Sequence, residues 1–511
     1  MSLLRSTASR RLVAALLLAS AARAPLAAQP ARAENVAASR PYATSAPARA
    51  RLAERIDAVL ARPALSRVTW GIEVRDPATG TVLYARNAGQ PMIPASNLKL
   101  IVSAAAAHHL DPAYRFRTSL YATGPVLDGA LQGDLVLYGR GDPMISSRYF
   151  PTRTSVFEMI ADSLRARGIR RVTGGVVADE SWWDREYVRD DWDPEDRLWW
   201  YAAPVSALGF NDNAIDFRIL PGASAGAPAR ITGQPASAAY RLRNTTRTVA
   251  AGGRHTLDFE RGTGPGAVRA VGQIPLGAGA DTESFAVDDG ARWTGTVFRE
   301  VLESRGIDVA RDEVRVVSDP AASVAGGSAA LVEWLSPPLP QAIGPVLLTS
   351  QNWFAEALVK TMGREVRGRG SWETGLALER AFLTQVVGID SADFVLRDGS
   401  GLSANNRVTP RALATLLDYV RRTPRQAVVR EKLPVSGSPD GSLRSRLTDL
   451  RGRVAAKTGY IGGVNSMSGF VTAADGRELV FVVLANGPGE RAQVVRAIDD
   501  VVRAVAAEGG R

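Results

Sequence analysis

The sequence has no cysteine. That excludes disulfides, thiolate metal sites and a cysteine nucleophile together. Histidine is nearly as scarce, with only His108, His109 and His255. None sits in an H-x-x-x-H or H-E-x-x-H pattern, which argues against a zinc hydrolase. No G-x-S-x-G elbow is present, and His108 and His109 fall on one predicted helix, so a serine–histidine triad has no support. No apolar run reaches the roughly 20 residues needed to cross a bilayer. No lysine/arginine block alternates with aromatics, so nucleic acid is not an expected partner. Lysine itself is rare: of 62 basic residues only Lys99, Lys360, Lys432 and Lys457 are lysines.

What is there begins with an address. Arg5, Arg10 and Arg11 precede an apolar run from Leu12 to Ala22, and small-residue sites follow at Leu26-Ala27-Ala28 and Ala31-Arg32-Ala33. Residues 1–33 therefore read as a secretory signal peptide, with the paired arginines leaving twin-arginine export open. Removing this segment, which holds five arginines and no acid, lowers the net charge from +10 to +5. The mature chain is expected outside the cytoplasm, in a periplasm or cell-wall space, without a transmembrane anchor. Contact with anionic wall polymer is the most its charge suggests.

With 511 residues, 45% of them hydrophobic, the chain can bury several cores. An Ala/Pro/Arg-rich linker is expected over 34–49 and a fold beginning near Ala50. Leu52–Leu60 has helical spacing, and Val68–Val74 and Thr81–Ala85 read as strands around Asp76-Pro77-Ala78-Thr79-Gly80. A helix is predicted from Ser96 to Leu110. At the other end, Ser466–Ala473 and Leu479–Ala485 flank Asp475-Gly476, a hairpin signal, before a helix carrying Val494, Val495, Ile498, Val501, Val502 and Val505. Its polar face mixes Arg496 and Arg503 with Asp499 and Asp500, which favours packing on a sheet over lying on a membrane. Strands at both ends predict one sheet built from both termini. The catalytic domain is expected over 50–121 and 336–511, interrupted by β-rich inserted material over 122–335. Trp182, Trp183, Trp192, Trp199, Trp200 and Tyr201 lie in the insertion, as core anchors or, alternatively, as a stacking surface for glycan.

Three short patterns carry chemistry. Ser96-Asn97-Leu98-Lys99 places a hydroxyl and an amine on one helix face. A serine is a poor nucleophile until something takes its proton, and a buried lysine can do so where an always-charged guanidinium cannot. In a chain that uses arginine almost everywhere else, two of the four lysines fall in such patterns. The second is Lys457-Thr458-Gly459, followed by Tyr460, where a strand edge can lie against an extended substrate while the cation and hydroxyl bind a carboxylate. The third is Ser350-Gln351-Asn352 at the entrance of a predicted helix, Trp353–Met362, where a serine can relay a proton and an amide can hold a substrate backbone. Ser403-Ala404-Asn405 matches the same pattern, but Ser350 lies between the other two motifs. In this order, S-x-x-K, S-x-N and K-T-G are the marks of β-lactamases and penicillin-binding proteins.

Beyond the trio, Gly139-Arg140-Gly141-Asp142-Pro143, Asp398-Gly399-Ser400-Gly401-Leu402-Ser403, and Leu433-Pro434 with Asp440-Gly441-Ser442-Leu443 resemble segments of the penicillin-binding protein 4 family of D-alanyl-D-alanine carboxypeptidase/endopeptidases. The resemblance covers most of the mature chain. It implies an α/β (α+β) transpeptidase-like serine domain, an antiparallel sheet flanked by helices, with a large insertion after the S-x-x-K helix. It implies Ser96 as nucleophile, Lys99 as base and Ser350 as proton relay, acting on D-alanyl-D-alanine or cross-linked peptidoglycan stem peptides through an acyl-enzyme. Lys457, Thr458 and Gly459 would hold the carboxylate end, Asn352 the backbone, Tyr460 one oxyanion donor and Asp142 a substrate amine, or else Asp142 merely makes a turn. β-Lactams would acylate the same serine, no cofactor is implied, and a homo-oligomer is open. Ala404 and Gly462 depart from residues some relatives carry there. The alternatives are a β-lactamase or esterase on this scaffold and a non-catalytic wall-binding protein.

Overall fold

The computed structural model describes residues 45–325 and 329–510. The predicted leader, and residues 34–44 of the predicted linker, lie outside them. The first helix, α1 (Ala46–Leu60), starts earlier than the apolar spacing predicts. Ser45 caps it by accepting from Ala48 N, and Pro47 fits the first turn, so 46–49 is helix rather than linker.

Strands β1 (Thr69–Asp76) and β2 (Thr81–Arg86) form the expected hairpin. Helix α2 (Lys99–His109) follows a short 3-10 turn over Ala95–Leu98. Much later come helix α3 (Asn352–Arg367), strands β3 (Val454–Ile461), β4 (Val464–Thr472) and β5 (Glu478–Asn486), and helix α4 (Arg491–Ala506). The five strands make one antiparallel sheet in the order β2-β1-β5-β4-β3, so the amino-terminal hairpin pairs with the carboxy-terminal one through β1 and β5. Trp70 opposite Ala485 and Ile72 opposite Val483 fix that register.

The apolar run in β5 has a physical reason. Leu479, Phe481, Val483 and Ala485 enter the core shared with α1 and α4, while Val480, Val482 and Leu484 enter the core on the other side, shared with α2 and α3. Alternate residues thus face two covered sides, which removes the polar alternation of a half-exposed strand. Helix α4 buries Val494, Ile498, Val501, Val502 and Val505 in that first core. It packs on the sheet, as its mixed-charge outer face suggests.

Between α2 and α3 the chain builds a second five-stranded sheet, ordered Arg315–Val317, Val176–Asp179, Leu135–Gly139, Arg115–Ala122, Val332–Pro338. The outgoing strand 115–122 pairs antiparallel with the returning strand 332–338. The predicted change-over at 335 therefore falls inside this strand pair, and that at 122 on the last residue of the outgoing strand. Helices Ser155–Ala166 and Gly290–Ser304 pack a further core around Phe157, Phe210 and Phe298. The architecture is α+β, a flanked antiparallel sheet with a large β-rich insertion, as the sequence suggests.

Candidate active site

The sequence predicts an α-helix beginning at Ser96, but the structure turns more tightly there. Ala95 has a left-handed φ of 47°, and Ala95–Leu98 is a 3-10 turn before α2 opens at Lys99. In a 3-10 turn side chains three apart eclipse rather than merely share a face. Ser96 Oγ consequently sits 2.9 Å from Lys99 Nζ.

Lys99 is fully buried. Its Nζ also donates to Asn352 Oδ1 at 2.7 Å and to the Ser400 carbonyl at 2.7 Å. The Asn352 amide cannot turn freely, because its Nδ2 donates to the Tyr201 carbonyl at 2.7 Å. Lys99 therefore faces two oxygens that only accept and one hydroxyl that can give a proton. A neutral amine has two N–H bonds and one lone pair, so the two fixed acceptors leave the lone pair for Ser96. Burial supplies the neutral form: it pulls Lys99 down to about 7, against the opposing charges of Glu356 and Asp398.

Ser350, in a left-handed conformation at φ 64°, accepts a hydrogen bond from Lys457 Nζ at 2.9 Å. Such a conformation is costly for a residue with a Cβ, and it sets the hydroxyl just ahead of α3. Lys457 lies on β3, the sheet's edge strand, and is fully buried. Burial, and then the charge of Lys99, holds its amine well below the ordinary lysine range. Thr458 Oγ1 donates to Ser442 Oγ at 2.7 Å.

Gly459 brings the edge strand against the nucleophile's turn. A Cβ there would lie 2.8 Å from Ser96 N and closer still to Ser466 Oγ. Ser466 in turn joins the turn to β4, donating to the Pro94 carbonyl at 2.8 Å and accepting from Asn97 Nδ2 at 2.6 Å. Tyr460 is half exposed, with the Arg491 guanidinium 3.8 Å above its ring.

These groups open onto a cleft of about 690 Å3 lined by Ser96, Ser350, Asn352, Thr458, Gly459 and Tyr460, with Ser442, Arg446 and Arg491 beyond them. From the insertion come Asp196, Trp200 and Tyr201. The tryptophan-rich segment thus divides: Trp183 and Trp192 are buried anchors, while Trp200 and Tyr201 line the cleft.

Of the two readings open for Asp142, a substrate amine or a turn, the structure favours the turn, for Asp142 lines no part of this cleft. It is buried in the insertion, with Oδ1 accepting from Met144 N at 2.9 Å, so the turn made by an aspartate before proline is what it does. Ser403, the competing S-x-N serine, donates to Asp191 and is not beside Lys457. His108 and His109 pack edge-to-face on each other and against Phe382 at the far end of α2.

Sequence reasoning missed the carboxylates beneath Lys99. Glu356, one turn along α3 from Asn352, accepts from Trp372 Nε1, Gly399 N and Ser400 N. Asp398 accepts from Gly401 N, Ser403 N, Asn406 Nδ2 and Trp192 Nε1. The available signal was a glutamate in the otherwise apolar stretch Trp353–Val359.

The chain matches known proteins along most of its length. A family model described as the D-Ala-D-Ala carboxypeptidase 3 (S13) family matches residues 52–508. A D-alanyl-D-alanine carboxypeptidase of Actinomadura sp. strain R39 is 36% identical over 470 residues, covering 89% of this chain and 84% of the relative. The D-alanyl-D-alanine carboxypeptidase DacB of Haemophilus influenzae is 26% identical over 407 residues, 78% of this chain and 81% of that one. The crystal structure of penicillin binding protein 4 (dacB) from Haemophilus influenzae superposes with a TM-score of 0.76, at 22% identity, over 88% of this chain and 99% of that one.

Proposed function

This chain belongs to the D-Ala-D-Ala carboxypeptidase 3 (S13) family, and from that premise we propose that it hydrolyses the terminal D-alanyl-D-alanine bond of peptidoglycan stem peptides through an acyl-enzyme on Ser96. The observation that carries the residue assignment is the setting of Lys99, a buried amine between two fixed acceptors and the Ser96 hydroxyl.

Ser96 Oγ attacks the carbonyl carbon of the penultimate D-alanine while Lys99 takes its proton. The oxyanion is held by the N–H groups of Ser96 and Tyr460, the residue after Gly459, whose Cα lies against the Ser96 turn. Breaking the C–N bond needs a proton on the leaving D-alanine amine, and the Ser350 hydroxyl, backed by the Lys457 amine, supplies the relay. Thr458 lines the cleft and meets the terminal carboxylate, with Lys457 buried behind it. Asn352 orients Lys99, and any contact with the substrate backbone requires its Nδ2 to leave the Tyr201 carbonyl. Water, activated by the same lysine, then releases the acyl group. Penicillins enter the same path and stay as esters.

The serine domain is assigned to both ends of the chain, with 115–338 as the insertion whose Trp200 and Tyr201 help line the cleft. The enzyme acts outside the cytoplasm, where the predicted leader directs it; no helix among the described residues is long and apolar enough to cross a membrane.

The test is D-alanine release from a synthetic pentapeptide ending in D-Ala-D-Ala, beside a cross-linked dimer and a chromogenic cephalosporin. Release from the pentapeptide, with the cephalosporin acylating once and turning over slowly, is expected. Cleavage of the dimer adds endopeptidase activity. Rapid cephalosporin turnover with an untouched pentapeptide makes it a β-lactamase instead.

A further inference from the structure

We propose that Glu356 is a positioning residue for the acylation step: it fixes the two peptide planes that lead into Ser400, and with Asp398, which holds the plane of the Ser400 carbonyl through Gly401 N, it keeps that acceptor on Lys99 Nζ. The inference rests on the reading of Ser96 and Lys99 given above and adds a residue that no sequence motif includes.

Two of the three groups around Lys99 Nζ trace to one face of α3. Asn352 touches the amine directly. Glu356, four residues on and fully buried, reaches it through the segment 398–403. Ser400 N donates to Glu356 Oε1 at 2.7 Å and Gly399 N to Oε2 at 3.0 Å, so the carboxylate fixes the orientation of the peptide planes on both sides of Gly399. Asp398 fixes the next stretch through Gly401 N at 2.8 Å and Ser403 N at 2.6 Å. The Ser400 carbonyl is left pointing at Lys99, 2.7 Å from Nζ. Without that acceptor the amine has a second N–H to place, and its lone pair is no longer committed to Ser96. The carboxylate also has no freedom to drift, since Trp372 Nε1 donates to Oε2 at 2.7 Å.

The charge works in the same direction as the geometry. Facing Glu356 are Asp398 from the 398–403 segment, Glu379 from the helix Trp372–Ala381, Lys99 from α2 and Lys360 from its own helix. Lys457 on β3 faces Lys99 from the other side. Burial, and next the Glu356 and Asp398 charges, drives Glu379 well above the usual carboxyl range, and neither of its oxygens has a partner. Glu379 is therefore neutral, while burial, and next the Asp398 charge, pushes Glu356 itself up to about 7, so its charge opposes the burial of Lys99 above that value and fades below it. Loss of the Glu356 charge makes Lys99 harder to protonate, which moves the acidic limb of the rate profile to lower pH.

The measurement is the second-order rate of acylation by benzylpenicillin across pH 5.5 to 10, on the full mature chain. Glu356→Gln keeps the size but offers one acceptor oxygen and an NH2 to three converging donors. Its plateau is expected to fall at least tenfold and its acidic limb to move to lower pH. Glu356→Asp keeps the charge but withdraws it from Ser400 N, so its plateau falls while the limb stays where the wild type has it. A purely structural role would lower both plateaus and move neither limb, and that result overturns the proposal, as does a wild-type profile in Glu356→Gln. If the glutamine variant does not accumulate as folded protein, the aspartate variant is read beside its thermal unfolding: a lowered plateau at a wild-type melting temperature supports the proposal, and a wild-type plateau, or a loss of rate matched by a loss of stability, contradicts it. Failure of the wild type itself to acylate at Ser96 removes the underlying reading instead.

Discussion

Lys99→Met is expected to slow acylation by benzylpenicillin by about 10^3-fold, which corresponds to roughly 4 kcal/mol of transition-state stabilisation. Methionine fills the buried space that the lysine stem occupies but cannot take the Ser96 proton. The second lysine does not substitute for it, because Lys457 Nζ lies on Ser350 Oγ and the Thr458 carbonyl. Lys99→Arg is expected to be as slow, since a guanidinium keeps its proton. The wild type carries a matching signature. Lys99 works as a neutral amine and is held at about 7, so acylation falls as the pH drops through that value and flattens above it. Stopped-flow acylation rates on wild type and variant check both statements. A Lys99→Met rate within tenfold of wild type moves the base elsewhere, with Lys457 through Ser350 as the next candidate.

Gly459→Ala is the other large effect. A Cβ at this position would lie 2.8 Å from Ser96 N, a separation that packed side chains do not adopt. Either β3 moves out or the 3-10 turn moves back, and each opens the gap between the two N–H groups assigned to the oxyanion. Losing one such donor typically costs about 10^2- to 10^3-fold, so the acylation rate is expected to fall at least 10^2-fold. Most of β3 stays paired, from Val454 opposite Val471 onward, so thermal unfolding is expected to shift by only a few degrees, on the order of 1 to 2 kcal/mol. Unchanged acylation in a folded alanine variant removes Gly459 from the site.

The two ends of the sheet were legible because β1, β2, β4 and β5 carry strong local signals: apolar runs bounded by turn residues such as Asp475-Gly476. The trio was legible because lysine is so rare here that its two motif positions stand out. What escaped has a common cause. The 3-10 turn at Ser96 is set by a left-handed Ala95 and by Gly401 and Gly459 pressing on it from distant segments, none of which shows in the local pattern. Glu356 reads as one glutamate on a helix until the fold brings Gly399 and Ser400 over it. Trp200 and Tyr201 read as core aromatics because nothing local tells that the insertion returns to the cleft, where the Tyr201 carbonyl meets Asn352. Asp142 stayed open between a substrate amine and a turn because its segment is conspicuous in either case, and one of its carboxylate oxygens makes the turn.

Every step of the proposed reaction passes through Ser96 as the nucleophile. Intact-protein mass spectrometry after incubation with benzylpenicillin, followed by peptide mapping, tests that directly on the mature wild type and Ser96→Ala. One persistent adduct on the wild type, mapped to Ser96 and absent from the folded variant, is the predicted result. An adduct on another residue, or on Ser96→Ala as well, would contradict it.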